Sequence, residues 1–377
     1  MLSFWEKDAW FGNIDVCVIG SGIVGLSTAL HLKKTAPDLK ILILERGLLP
    51  TGASTKNAGF ACFGSLSEIL SDLNKMPEVE VIDLIAERFL GLQLLRETLG
   101  DHAIDYKEWG GFEMFTAEQE SLFERCMELM PRLNILLKER FKISSPIFIN
   151  ADEKNKIFGF SSLQHLIKNT LEGQIDTGKM MQALIHKVQQ EGITILTGTA
   201  LTDWTETATG VELNTQPFGN IKTGKLVFAT NGFASQLLPE LDVKPGRAQV
   251  LITCEIENLK IKGCFHFDEG YYYFRNIGKR LLLGGGRNLD FKGEETYAHH
   301  TTDKIQNALE TFLSTVILPN QSYTIEQRWS GTLGLGEIKK PIIQTIGKHS
   351  ICAVRMGGMG VAIGSLVGKK AAALLLT

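Results

Sequence analysis

The sequence predicts an α/β protein: a doubly wound, largely parallel sheet of the dinucleotide-binding kind, with a second α+β domain inserted in pieces. Three observations predict it. Four short apolar runs, at 14–19, 41–44, 193–196 and 226–229, read as buried strands separated by other material. The first ends in Gly20-Ser21-Gly22-Ile23-Val24-Gly25 and leads into a helical stretch that stops before Pro37. The second delivers Glu45 at its end.

Each part of this opening has a physical role. Gly20 permits a tight turn, Gly22 lets backbone approach a pyrophosphate, and Gly25 lets helix pack closely on strand. The helix from about Gly22 to Thr35 aims its free N–H groups, beginning at Ile23 and Val24, and its positive dipole end at the phosphates. The Glu45 carboxylate can accept both hydroxyls of an adenosine ribose and would repel a 2′-phosphate, which argues against NADP.

The bulk numbers fit an ordinary globular protein of about two domains: 377 residues, 44% hydrophobic, 21% charged, net charge −3. No segment is basic enough to suggest nucleic acid as a partner. Residues 1–13 lack the basic start and unbroken apolar core of a signal peptide, and no apolar run approaches the ~20 residues that cross a bilayer. Residues 361–376, interrupted by Gly364, Gly368 and Lys369-Lys370, read as a packed terminal helix. Six scattered cysteines without C-x-x-C spacing suggest reduced thiols and a cytoplasmic protein.

Further along, a polar loop at 47–65 precedes helical periodicity at 78–99 and 117–140, with an alternating strand at 110–115 between them. Another helix is expected at 176–190, β-rich sequence from 249 to 283, a helix at 302–315 and a glycine-rich final region. The expected division places 1–75, 160–235 and 326–377 in the nucleotide domain, and 76–159 and 236–325 in the substrate domain. The active site would lie at their junction.

NAD and FAD share the opening fingerprint, and three later segments point to FAD. The small, polar loop from Thr51 to Gly59 can follow a long cofactor to its isoalloxazine ring. The strand end Ala229-Thr230-Asn231-Gly232 is the second. The third, Met356-Gly357-Gly358-Met359-Gly360-Val361, precedes the terminal helix, whose dipole suits the flavin edge where negative charge develops.

With these segments in this order, the chain resembles the D-amino acid oxidase-like superfamily of FAD-dependent oxidoreductases over nearly its whole length. Further matching segments are Asp176-Thr177-Gly178, Gly198 to Leu201, Arg247-Ala248-Gln249 and Trp329-Ser330-Gly331. The resemblance implies that Glu45, with Arg46, binds the ribose. It places Ala53, Ser54, Asn57, Ala58 and Gly59 at the pyrophosphate and flavin side, and Leu201 at the adenine. It adds Ala229, Thr230, Gly232 and Gly331 to the cofactor site, and sets Gly357, Gly358, Met359, Gly360 and Val361 against the flavin. It further implies removal of a hydride from a C–N bond of a small amine or amino acid, giving an imine that water hydrolyses, with oxygen or another acceptor reoxidising the flavin.

Three departures shape the expected chemistry. Some relatives hold a substrate carboxylate with an arginine two residues beyond W-x-G, where this chain has Leu333, as in amine-oxidising relatives. No cysteine lies between Trp329 and Lys348, and the 51–59 loop has no histidine, so FAD is expected to be non-covalent. The strand Leu281-Leu282-Leu283-Gly284 lacks the lysine that some relatives use to promote reaction with oxygen, which keeps a dehydrogenase open beside an oxidase. Oxidation of a hydroxy acid or polyol phosphate, and a flavin subunit active only with a partner, are the alternatives.

For the substrate pocket the expected residues are Tyr272, which would lie opposite Tyr271 and Tyr273 on its strand, and Arg275, which could supply a cation from another strand. A surface or interdomain salt bridge is the competing role for Arg275. Cys62, Trp109 and Trp204 read as packing residues, and His299-His300 as a polar loop pair without metal-ligand spacing.

Overall fold

The computed structural model describes residues 2–377, which form two eight-stranded sheets and a small two-stranded ribbon. In the first sheet Ile14–Ile19 is central. Ile41–Leu44 and then Thr194–Leu196 lie parallel on one side of it. Gly219–Phe228 and Ser350–Val354 lie parallel on the other, and Ile342–Thr345 closes that edge antiparallel. Strand order therefore reverses at Ile14–Ile19, which puts the ligand crevice beyond its carboxyl end.

The apolar runs are buried on both faces, as expected of central parallel strands. One face packs Val16, Val18, Ile41 and Ile43 against helices Ile23–Thr35, Thr177–Gln190, Glu78–Leu99 and Gly360–Leu376. The opposite face buries Cys17, Ile19, Leu42 and Leu44 with Val211, Leu213 and Leu238. Part of its cover is thus an antiparallel meander, Ala200–Glu206, Val211–Gln216 and Gly219–Phe228, in place of a second helical layer. The terminal helix lies close on its neighbours because of its glycines. A Cβ on Gly368 would stand 2.5 Å from Ser27 Cβ, and one on Gly364 would stand 2.8 Å from Ile23 Cγ2.

The second sheet runs in the order Ile325–Leu335, Lys244–Thr253, Arg280–Gly285, Tyr272–Ile277, Cys264–Phe267, Gly111–Thr116, Leu163–Asn169 and Phe148–Asn150. One pairing, Cys264–Phe267 with Gly111–Thr116, is parallel and the others are antiparallel. This membership moves the expected domain limits. Leu163–Asn169 and Ile325–Leu335, expected within the nucleotide segments 160–235 and 326–377, are strands of the second sheet. Glu78–Leu99, expected with the substrate domain, buries Leu84, Leu92 and Leu95 in the nucleotide-domain core. Backbone pairing decides the first two, and an apolar stripe facing Gly360–Leu376 decides the third.

The 47–65 loop holds a helical turn, Ala53–Lys56, and a short strand, Phe60–Ala61, paired with Gly173–Gln174. An unexpected helix, Leu66–Leu73, follows it, started by a capping box between Ser65 and Glu68.

Candidate active site

The crevice beyond Ile14–Ile19 opens into a cavity of about 340 Å³. Gly20 takes φ +104°, and a Cβ there would come within 2.9 Å of the Ala229 carbonyl oxygen. A Cβ on Gly25 would stand 2.0 Å from the Gly20 carbonyl oxygen. The tight turn and the close helix–strand approach are therefore both glycine-dependent. Glu45, 6% exposed, accepts from the Ser21 amide at 3.2 Å and hydroxyl at 2.8 Å, and from the Gly47 amide at 2.9 Å. Its carboxylate is thereby fixed at the cavity wall, with lone pairs remaining for a ribose.

Of the expected cofactor residues, Gly20, Gly22, Ile23, Val24, Glu45, Arg46, Ala53, Ser54 and Asn57 line this cavity, as do Leu201, Ala229, Thr230, Gly232, Gly358, Gly360 and Val361. Six do not. Gly25 serves packing. A Cβ on Gly331 would meet Lys56 Cβ at 2.9 Å, and one on Gly357 would meet the Lys339 carbonyl oxygen at 3.4 Å. Gly59 lies against the Arg275 guanidinium, and the Ala58 carbonyl accepts from Arg275 Nε. Met359 caps the terminal helix. The sequence reading missed Phe233, Gln236, Leu237 and Thr332, which also line the cavity, as does Leu333 from the position two residues beyond W-x-G. The first three follow directly on the Ala229–Gly232 strand end, the one available signal for them. Arg46 stacks on Phe233, 3.7 Å from the ring centroid.

The lining fits a dinucleotide. The Thr230 hydroxyl is buried at the wall without a hydrogen-bond partner, and the N-terminus of Ile23–Thr35 opens on the same space.

The second sheet faces this region through one cross-strand row: Ile167, Glu113, His266, Tyr273, Gly284, Val250 and Trp329. Four members grip the cofactor loop and the segment after it. Trp329 Nε1 donates to the Lys56 carbonyl at 3.0 Å. His266 and Tyr273 pack edge-on against Phe60, at centroid distances of 5.2 and 5.6 Å. Glu113 accepts from the Ser67 amide and hydroxyl. Tyr272, expected in the pocket, points to the other face and packs on Phe312 at 5.1 Å and Phe267 at 6.1 Å. Strand alternation turns Tyr273 instead toward Phe60. Arg275 shares Tyr273's face, but its guanidinium bonds backbone carbonyls and makes no salt bridge among the described residues.

Burial shapes the electrostatics here. It raises the Glu113 carboxyl to about 7 and the Glu172 carboxyl to about 8, although Glu172 accepts the Phe63 and Gly64 amides at 2.7 and 3.1 Å. Burial also works to raise Glu68, yet Lys339, with His266 and Arg88, holds it below the usual carboxylate range. Lys339 Nζ lies 3.5 Å from Glu68 and 3.2 Å from Asp72. His266 is pushed down by burial, and its Nε2 has no partner among the described residues.

A parallel sheet with a switch-point crevice, a glycine turn and ribose acid, and a second sheet laid beside the crevice define a nucleotide-cofactor enzyme of the two-sheet type. Residues 15–374 match the family described as FAD dependent oxidoreductase, and the chain belongs to that family. Its cofactor is accordingly FAD. The chain is 22% identical to gamma-glutamylputrescine oxidoreductase of Escherichia coli (strain K12), over 96% of this chain and 83% of that protein. Among solved structures it is similar to L-proline dehydrogenase from P. horikoshii (TM-score 0.76, 18% identity, 96% of this chain and 93% of that one). It is also similar to glycine oxidase from Geobacillus kaustophilus (TM-score 0.75, 19% identity, 96% and 93%). No helix among the described residues is long and apolar enough to cross a membrane.

Proposed function

We propose that the chain oxidises a C–N bond of a small amine or amino acid, with amines that lack an α-carboxylate preferred. The observation that carries the preference is Leu333: it lines the cavity at the position two residues past Trp329-Ser330-Gly331 and offers no charge to a carboxylate. Similarity to gamma-glutamylputrescine oxidoreductase supports the same reading.

Bound FAD supplies the two-electron sink at N5. The chain's own residues bind and exclude water. Glu45 would hold the ribose, Ser54 and the start of helix Ile23–Thr35 would face the pyrophosphate, and Gly358 to Val361 would bring a helix N-terminus to the flavin side. Tyr273, His266 and Phe60 would offer aromatic surface on the side of the second sheet. With FAD bound as hydride acceptor, the chemistry it would supply is conversion of the amine to an imine, which water would hydrolyse to carbonyl and amine. FAD would be held non-covalently, and the strand Arg280–Gly285 carries no lysine to offer it.

The test is anaerobic addition of amines, γ-glutamyl amines, D- and L-amino acids and 2-hydroxy acids to the purified holoprotein, following the visible flavin band. Amines should bleach it fastest and hydroxy acids not at all. Bleaching by hydroxy acids alone, or by nothing until a second polypeptide is added, would overturn the reading. Slow recovery of colour in air would mark a dehydrogenase.

A further inference from the structure

Three side chains of the metal-ligating kind meet in the interior, where the segment after the cofactor loop crosses the second sheet. Cys62 follows the short strand Phe60–Ala61, Glu172 precedes Gly173–Gln174, and His266 stands on Cys264–Phe267. Pairing of Ala61 with Gly173 sets the first two side by side. A thiol sulfur, a carboxylate oxygen and an imidazole nitrogen thereby lie within 4.8 Å of one another. All three residues are buried, His266 being 7% exposed and the others less. His266 Nε2 has no hydrogen-bond partner among the described residues, and a buried polar atom of that kind calls for an occupant. His266 and Glu172 share the wall of a cavity of about 10 Å³, room for one atom-sized guest.

The surroundings hold these donors in place without consuming them. Glu172 accepts the Phe63 and Gly64 amides on Oε1, which fixes the carboxylate and leaves Oε2. Gly111 makes room for that oxygen, since a Cβ there would collide with it. The Cys62 thiol reaches only the Gly173 carbonyl, at 3.7 Å, and Cys264 donates to the same oxygen at 3.2 Å. Cys264 shares His266's face of its strand, so a second sulfur stands beside the first. We propose that Cys62, Glu172 and His266 bind one divalent metal ion of the zinc type, with Cys264 the nearest further donor. Thiolate, imidazole and carboxylate suit Zn²⁺, whereas Mg²⁺ and Ca²⁺ take oxygen donors. A dication with one thiolate and one carboxylate sums to zero charge, which suits a buried site. The thiol and carboxyl protons leave to solvent, and the ion ties the segment after the cofactor loop to the second sheet. The inference rests neither on FAD nor on which amine is oxidised.

The experiment uses the tag-free holoprotein without substrate. After chelator treatment and gel filtration it is titrated with Co²⁺ alone, a coloured stand-in for Zn²⁺, reading the bands to the red of the flavin absorption. One equivalent should bind, more tightly as pH rises, and Zn²⁺ but not Mg²⁺ should displace it. Cys62→Ser and His266→Gln should each weaken Co²⁺ by about 100-fold or more, beyond what loss of an outer-shell partner costs. Zn²⁺ should raise the melting midpoint of wild type and leave that of Cys62→Ser unmoved. Affinity unchanged in both variants would mark an adventitious surface ion and overturn the proposal. So would a wild type that takes up no Co²⁺, which leaves the cavity to an ordered water. If the variants do not fold, X-ray absorption of the zinc-loaded wild type decides: a first shell without sulfur also overturns it.

Discussion

The Ser54 hydroxyl oxygen accepts the Ile23 amide at 3.0 Å, so a residue beyond the second strand caps the helix that follows the first. A Cβ on Gly22 would meet the same oxygen at 2.9 Å, which keeps the cap close to the glycine turn. Ser54→Ala should cost about 1 kcal/mol of apoprotein stability, as loss of a helix cap does. It should also weaken FAD about tenfold, because the same hydroxyl stands at the cavity wall. Urea unfolding of the apoprotein and a fluorescence titration with FAD check the two effects separately.

Tyr273 and Tyr272 are neighbours with opposite duties. Tyr273→Ala removes the ring that meets Phe60 and should lower kcat/KM for amines at least tenfold with little change in apoprotein stability. Tyr272→Ala removes a ring packed on Phe312 and should cost about 2–4 kcal/mol while FAD-loaded protein keeps its KM. The reverse pattern would return the pocket to Tyr272.

Glu113 should leave a pH signature. Its carboxyl titrates at about 7 in the folded chain against 4.5 ordinarily, burial being the main cause. The folded state therefore holds a proton that the unfolded state releases. The stability this contributes is complete below the ordinary value and is lost as pH rises through about 7. Unfolding free energy should fall by about 2–3 kcal/mol more between about pH 5 and pH 8 in wild type than in Glu113→Gln. Urea midpoints at the two pH values measure the difference, and parallel curves for the two proteins would refute it.

Gly368 sets the spacing of two helices. Gly368→Val drives its side chain into Ser27 and the Thr28 amide, and should cost about 1–3 kcal/mol. FAD affinity should fall as well, since Ser27 and Thr28 lie on the helix that faces the cofactor. Gly192→Ala, which meets nothing nearby although it sits at φ +72°, serves as the strained but unclashed control.

The nucleotide site was legible because its geometry is local. Gly20, Gly22, Gly25 and Glu45 lie within one strand–helix–strand unit, where spacing alone sets the positions. The substrate side depends on sheet register, which spacing does not reveal. Alternation showed that Tyr272 must oppose Tyr273, but only pairing with His266 and Gly284 shows which one shares a row with Glu113 and Trp329. The span 160–235, expected with the nucleotide domain, holds Leu163–Asn169 of the second sheet for the same reason. Arg275 was readable as a cation beside the tyrosine run, yet its carbonyl partners Ala58 and Ile175 come from segments remote in sequence. Helix Leu66–Leu73 was missed although Ser65 and Glu68 carry its start signal, because the polar loop before it hid where the loop stopped.

The strand Ile325–Leu335 pairs with the second sheet along its length, yet its Thr332 and Leu333 line the cofactor cavity. One continuous backbone thus belongs to the frame of the substrate sheet and to the wall of the FAD site. Neither sheet can open without disturbing the other's ligand surface, so FAD bound to the native chain alone stabilises both by mass action. Heating the holoprotein should therefore melt the two sheets in a single transition whose midpoint climbs with free FAD, making the cofactor a thermodynamic member of the fold.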